Sequence, residues 1–329
     1  MTFRTIDSAI QQALLDTTES EFASLTRGGQ PISNPLFHYY SPGAATIDIA
    51  TGIAYPAKAN RARANPKVGL LLGPAVHAYD PMAIIEAGTP DTRTLEGQPV
   101  LAIGAIAAVR DSDLQANTDR YVKLFLEQHS RIGPSDWATM QQMTNYWVRI
   151  WVVLAPAVVY FWPTGRLDDE EPIVWRAPAG PADPTSDPAP KGPRSKPAKW
   201  SAEPWKARAE RVVGQFPMPI LTLANSDGFP IPFPTRSARV VDEGFIVTVP
   251  KYRPWEPAGA ASLSFGAYAT FLGELAPCAD GLSFKVTRLI GNLPSVFDNE
   301  SAEAKKLAER LAAELTLRGQ AMPIIRKSA

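Results

Sequence analysis

Short apolar runs rich in β-branched and aromatic residues recur along the chain, each closed by glycine, proline or asparagine. Runs of this kind read as strands. In the first half they predict strands over 21–27, 30–40, 45–50, 67–73, 99–109 and 146–162. In the second half they predict strands over 218–224, 231–241, 244–249, 260–265, 268–276 and 281–291. Helical periodicity is rarer and predicts helices over Ile6–Asp16, Ala57–Ala64, Leu114–His129 and Ala302–Leu317. The second stops at Asn65-Pro66, because the residue before a proline is pushed out of the helical region. In the last, Leu307, Leu311 and Leu315 stand four apart, Asn299 or Ser301 can cap the start and Gly319 can end it. Short strands joined by turns, with few helices, imply a mainly β fold with peripheral helices (α+β), in barrels rather than a parallel sheet.

The pattern occurs twice. Gly29-Gln30-Pro31-Ile32-Ser33-Asn34-Pro35 and Gly228-Phe229-Pro230-Ile231-Pro232-Phe233-Pro234 both read G-x-P-I-x-x-P, 199 residues apart. Each follows a strand-like run ending in a turn and precedes two further strand-like runs, which points to duplication of one domain. Two domains also suit 329 residues at about 100–200 residues per domain. Between the copies, residues 163–204 carry ten of the 32 prolines, with glycine, serine and charge interspersed. That composition builds no core and runs extended. The expected organisation is therefore 1–162, a Pro-rich linker over 163–204, and 205–329. Trp175, Trp200 and Trp205 are placed to pin the linker onto the folded body.

Composition narrows the function. Thirty-three basic residues balance 33 acidic ones, so no basic field attracts nucleic acid or an anionic membrane. A single cysteine, Cys278, excludes a disulfide framework and a multi-cysteine metal site, and three histidines argue against a metal centre. No apolar run reaches membrane-spanning length and the N-terminus lacks signal-peptide character, so a cytoplasmic location is expected.

The strongest chemical signal follows the third strand, in Tyr55-Pro56-Ala57-Lys58-Ala59-Asn60-Arg61-Ala62-Arg63-Ala64-Asn65-Pro66. A helix start offers free N–H groups and a positive dipole end, and a first-turn lysine adds a point charge; together these suit a phosphate. A solvated basic helix fits the same residues. Other groups carry weaker signals. Arg236 and Arg239 share a strand and either face a cleft or pair at the surface, and Arg253 and Trp255 either stack on a ligand or anchor a Pro-bounded loop. Asp168-Asp169-Glu170-Glu171 reads as a solvated acidic run, since consecutive acids on an extended chain point apart. Cys278 has no neighbour that lowers its pKa, and His38 reads as a structural histidine. No catalytic side chain is identified.

The order and spacing of these motifs resemble the pyridoxamine 5′-phosphate oxidase-like family, the FMN-binding split barrels. The family has a strand, a polar turn ending in lysine, a helix closing on N-P with the asparagine seven residues after the lysine, and an apolar strand. Lys58, Asn65 and Val68-Gly69-Leu70-Leu71-Leu72 follow that spacing, and Val100–Ala105 resembles the later strand with its central glycine. The resemblance covers roughly 18–162 and, more weakly, 205–320. It implies two split β-barrel domains forming an intramolecular pseudo-dimer, as a monomer or a further homodimer. It also implies an oxidoreductase acting with FMN on a small-molecule substrate; the deazaflavin F420, or non-enzymatic binding of heme or another ligand, are the alternatives. Lys58 then holds the flavin phosphate with the backbone of Ala57 and with Arg61, beside Tyr55, while Leu36 and Phe37 lie against the flavin. Arg236 and Trp255 are the candidates from the second barrel. Pro56 and Ala57 replace the family's serine and arginine, the second copy has Pro257 near the lysine position, and the C-terminal segment of the vitamin B6 oxidases is missing. One site per chain, in the first barrel, is the expectation.

Overall fold

The computed structural model describes residues 8–76, 93–128, 134–177, 184–192, 203–290 and 302–327. Among them are fourteen strands and seven helices. The first barrel is built from β1 (Glu19–Leu25), β2 (Pro31–Tyr39), β3 (Ile47–Gly52), β4 (Lys67–Leu72), β5 (Val100–Arg110) and β6 (Arg149–Trp162). These run in the order β3-β2-β1-β4-β5-β6, and β3 pairs back onto β6 to close the ring. Closure leaves no open edge in the ring, which is the usual resolution of a strongly twisted antiparallel sheet. A short strand, β7 (Ile173–Arg176), extends the β6 edge beyond β3.

The second sheet consists of β8 (Ile220–Ala224), β9 (Pro230–Pro234), β10 (Ser237–Val241), β11 (Gly244–Thr248), β12 (Gly259–Phe265), β13 (Ala269–Cys278) and β14 (Gly281–Ile290). Its order is β10-β11-β14-β13-β12-β8-β9. Reading β9 and β10 as one interrupted strand makes this the first topology again. The interruption falls at Thr235-Arg236, where the backbone N–H of Thr235 donates to Pro219 on one side and that of Arg236 to Thr248 on the other. The second barrel is accordingly the more open one.

Register shows that the halves are copies. Phe22 pairs with Asn34 in the first hairpin and Leu221 with Phe233 in the second, each 199 residues on. Phe22 faces Leu70 on the other side, and Leu221 faces Leu263. Gly69 pairs with Gly104, just before a bulge between Gly104 and Ala105; Ser262 pairs with Leu272, just before a bulge between Leu272 and Gly273. A bulge inserts one residue and re-aims its strand, so its recurrence at the equivalent position marks a retained structural feature.

The barrels pack as an isologous pair, each offering the same patch to the other. In one direction β9 lies on β1, β4 and β5; in the other β2 lies on β8, β12 and β13. Gly69 permits the first approach: a Cβ there would stand 1.7 Å from the Pro230 carbonyl oxygen, and one on Gly104 would stand 2.8 Å from the Phe229 ring. In the reverse direction, Gln30 Nε2 donates to the Ala261 carbonyl at 2.7 Å. The interface is apolar at its centre, with Trp162 of the first barrel against Phe233 of the second at 5.0 Å between ring centroids.

The helices are α1 (Ser8–Asp16), α2 (Ala57–Ala64), α3 (Leu114–Gln128), α4 (Pro134–Met140), α5 (Thr144–Trp147), α6 (Trp205–Val213) and α7 (Ala302–Arg318). The sequence pattern anticipates α1, α2, α3 and α7 and misses the other three; α5 takes the start of the strand expected over 146–162. Gly319, at φ +62°, ends α7 as expected. Residues Asn299, Ser301, His77, His129 and Trp200 lie outside the described residues.

Two segments depart from the expected linear division. The described part of 163–204 is laid along the first barrel: β7 pairs with β6, Trp175 packs against the core, and the Val109 N–H donates to Ser186 Oγ at 3.0 Å. The Asp187 carboxylate accepts from the Asp111 and Ser112 N–H groups at 2.8 and 2.9 Å. Trp205 packs on the second core. The C-terminal helix crosses back: Leu307, Leu311 and Leu315 sit in the first barrel's core with Ala54, Ala59 and Ala62. A buried ionic network locks it there, with Asp111 taking Arg63 at 2.6 Å and Arg318 at 3.3 Å, while Arg318 also pairs with Glu314.

Candidate functional site

The turn from β3 into α2 gathers charge at the outer wall of the first barrel. β3 ends at Gly52, where a Cβ would come within 3.3 Å of both Arg149 Nη1 and the Tyr55 ring. The bare glycine thus leaves a notch between these side chains. Pro56 precedes the helix and its side chain makes no capping bond, so the first-turn N–H groups rely on other partners. Ala59 and Ala62 are buried against the core, and Lys58, one turn before Ala62, shares that edge of α2. Arg61 Nε donates to Ser24 Oγ at 2.9 Å. From α7, Arg310 Nε donates to the Ala54 carbonyl at 2.9 Å.

Lys58 is half-buried. Loss of solvent around its ammonium, then the nearby guanidinium groups of Arg61 and Arg149, pull its pKa down to about 8, and Glu21 opposes this. Burial also brings Arg61 down to about 10. Arg149 lies over the rings of Tyr121 and Tyr146 at 4.5 and 4.6 Å, and its Nε has no hydrogen-bond partner. Burial raises the Tyr55 phenol.

The counter-charge is Glu21, on β1. It is 1% exposed, and burial pushes its carboxyl up to about 7. The hydroxyls of Ser33 on β2 and Ser264 on β12, and then Lys58, hold it lower than burial alone would. Neither hydroxyl closes a hydrogen bond on the carboxylate: Glu21 Oε1 and Ser33 Oγ are buried without hydrogen-bond partners, and Ser264 Oγ donates to the Gly266 carbonyl. Lys58 does not close an ion pair with Glu21, although each shifts the other. Around Lys58 the arrangement is thus two further cations, Arg61 and Arg149, and one carboxylate, Glu21. Its formal charge of +2, from Lys58, Arg61 and Arg149 against Glu21, matches a phosphate dianion.

The structure brings Tyr55, Ala57, Lys58 and Arg61 together. Leu36 packs against the first core and its carbonyl accepts from Ser20 Oγ at 3.0 Å. Phe37 turns to an aromatic cluster and meets Phe125 edge-on at 6.3 Å. The second-barrel candidates stand elsewhere. Trp255 is buried in the second core and its indole N–H donates to the Ile231 carbonyl at 2.9 Å, which leaves no polar edge for a ligand. Arg236 pairs with Asp168 and lines an open cleft of about 230 Å³ with Arg93, Arg166 and Asp169. Asp168 also accepts from the Lys251 N–H at 2.7 Å, so the acidic run braces a loop. His38 is buried, held neutral at a pKa of about 4 by desolvation, with Nε2 3.1 Å from the Leu14 carbonyl. Among the described residues no group of three or more metal-ligating side chains converges, and no helix is long and apolar enough to cross a membrane.

Glu21, Arg149 and Arg310 are absent from the sequence-predicted set. One signal for Glu21 was present: its equivalent 199 residues on is Ile220, an apolar residue in an otherwise matching hairpin.

The architecture, two tandem split β-barrels joined as a pseudo-dimer, is the one implied by the resemblance to the pyridoxamine 5′-phosphate oxidase-like proteins. No protein-family model matches the chain, and no curated protein matches it. Solved structures do. A conserved hypothetical protein of Mycobacterium tuberculosis is 19% identical and covers 49% of this chain and 87% of its own, at a TM-score of 0.35. A FAD-binding protein of Mesorhizobium loti is 14% identical over 47% of this chain and 94% of its own, at 0.27. The heme storage protein HutZ of Vibrio cholerae is 13% identical over 45% of this chain and 87% of its own, at 0.28. Each spans about half of this chain. The assignment of two copies rests on the strand order, the hairpin registers and the repeated bulge.

Proposed function

We propose that this protein binds one phosphate-bearing flavin, FMN, per chain at the β3–α2 turn of the first barrel, and uses it in an oxidoreductase reaction on a small molecule. The observation that carries the reading is the gathering of Arg61, Arg149 and the buried Glu21 about Lys58, next to the notch at Gly52. Lys58 and Arg61 hold the phosphate, with the first-turn N–H groups of α2. Arg149, lying over the rings of two tyrosines, keeps its charge fixed in place. When bound, the isoalloxazine supplies the redox chemistry. The chain's own residues bind and orient it, and the seam between the barrels excludes water.

F420 also carries a phosphate, and the same cations serve it. The heme alternative gains nothing from His38, whose ring is buried against Leu14. The test is a spectroscopic and calorimetric titration with FMN, riboflavin and F420. FMN is expected to bind at least tenfold more tightly than riboflavin, about 1.4 kcal/mol for the phosphate. Equal affinities, or no binding of any of the three, would overturn the reading.

A further inference from the structure

Glu21 is the one feature of the site that a phosphate pocket does not call for. A buried carboxylate facing the phosphate-holding lysine competes with the ligand for the same cation. Its position is built by both barrels: β1 carries it, Ser33 on β2 flanks it, and Ser264 on β12 lies near it across the seam, its hydroxyl turned to the Gly266 carbonyl. Its Oε1 is buried and accepts no hydrogen bond. The second copy has lost both charges together, with Ile220 in place of Glu21 and Pro257 near the place of Lys58. Paired loss suggests that the two groups work as a unit.

We infer that Glu21 is a specificity-determining residue of this site, an internal counter-ion to Lys58 that a phosphate replaces, taking up a proton as it gives way. The inference rests on the flavin-phosphate reading and concerns only how the chain regulates it. In the free protein the ionised carboxylate offsets Lys58, whose other charged neighbours, Arg61 on α2 and Arg149 on β6, are both cations. The remaining groups facing Glu21, the Ser33 and Ser264 hydroxyls, do not titrate in this range. When a dianion arrives, two like charges would share one lysine. Protonation removes that conflict and gives Glu21 an O–H that can donate to a phosphate oxygen. Binding is therefore coupled to proton uptake. A neutral ligand, which does not call on Lys58, is bound without it.

The consequence is a pH dependence that runs through one side chain. With the carboxyl titrating near neutrality, wild-type affinity for FMN at pH 8 is about tenfold below that of Glu21→Gln, and at pH 6 the two agree within about twofold. Calorimetry of wild type at pH 7, in buffers of low and high ionisation enthalpy, reads about half a proton taken up per FMN. Glu21→Gln takes up almost none. If FMN binds in a Lys58-dependent manner but Glu21→Gln matches wild type at pH 8, or wild type exchanges no proton, this inference falls and the flavin reading survives. If neither wild type nor Glu21→Gln binds FMN at either pH, both fall. Should Glu21→Gln fail to fold, the proton count on wild type decides alone.

Discussion

The two barrels share strand order, hairpin register and the position of a bulge, yet they spend their buried positions differently. At the equivalent place on the first strand, the first barrel buries Glu21 and the second buries Ile220. The first barrel's third strand turns into a cationic helix, whereas the second's runs into a proline-bounded loop whose tryptophan fills the core. The interface repeats this asymmetry. Glycines at Gly69 and Gly104 let the second hairpin press onto the first sheet, while their equivalents are Ser262 and Leu272. Where the first barrel buries a charge on its first strand, the second buries an apolar side chain. Duplication with divergence lets a chain do this, since a true homodimer must change both sides at once.

The sharpest way to break the comparison is at the glycines. Gly69→Ala places a methyl 1.7 Å from the Pro230 carbonyl, a contact that only backbone movement relieves. It is expected to cost more than about 3 kcal/mol in denaturant unfolding. Ser262→Ala, at the equivalent position, is expected to cost under about 1 kcal/mol; similar values for the two would mean the interface is not as tight as described.

Next comes the buried carboxylate. Its folded pKa lies above its unfolded value, so stability is fully present below about 4.5 and is lost as pH rises through 7. The loss approaches about 3 kcal/mol at pH 8. His38 acts oppositely: with its folded pKa lowered, stability is lost as pH falls from 6.5 through about 4. Unfolding of Glu21→Gln across this range isolates the first contribution, and the variant is expected to gain on wild type between pH 5 and 7 and to level off by pH 8. A constant difference would contradict the burial of that charge.

Leu311→Ala probes where the C-terminal helix belongs. The side chain is 1% exposed in the first core, and its loss is expected to cost about 2–5 kcal/mol. Hydrogen exchange should rise in β3 and α2 rather than in β8–β14. Arg236→Ala is the smallest effect, within about 1 kcal/mol, because its pairing with Asp168 is solvent-exposed; FMN affinity is expected not to move.

These regions also differ in how plainly the sequence announces them. The hairpin repeat is local and its register is set by turn and alternation, so the offset of 199 survives into paired residues. Lys58 announces itself through spacing. Glu21 does not, because in EFASL it alternates with the core-facing Phe22 and is buried where the second barrel packs against β1. Arg149 hides in an aromatic strand, and its surroundings come from Tyr121 and Tyr146 on helices that the strand pattern does not place. The crossing of α7 to the first barrel is invisible to periodicity, which shows that a helix has an apolar face but not which core receives it. Trp255 misleads in the opposite way: an aromatic beside arginine and proline suggests a stacking surface, and the fold uses it as filler.

The central claim is a single phosphate-binding site per chain, held by Lys58 in the first barrel. Its most direct test is calorimetric titration of FMN into wild type and Lys58→Ala at pH 6.5, below the titration of the lysine. The account predicts one FMN per wild-type chain and at least tenfold weaker binding to Lys58→Ala, with both proteins folded by circular dichroism. Two flavins per chain, or equal affinity for the two proteins, would contradict it.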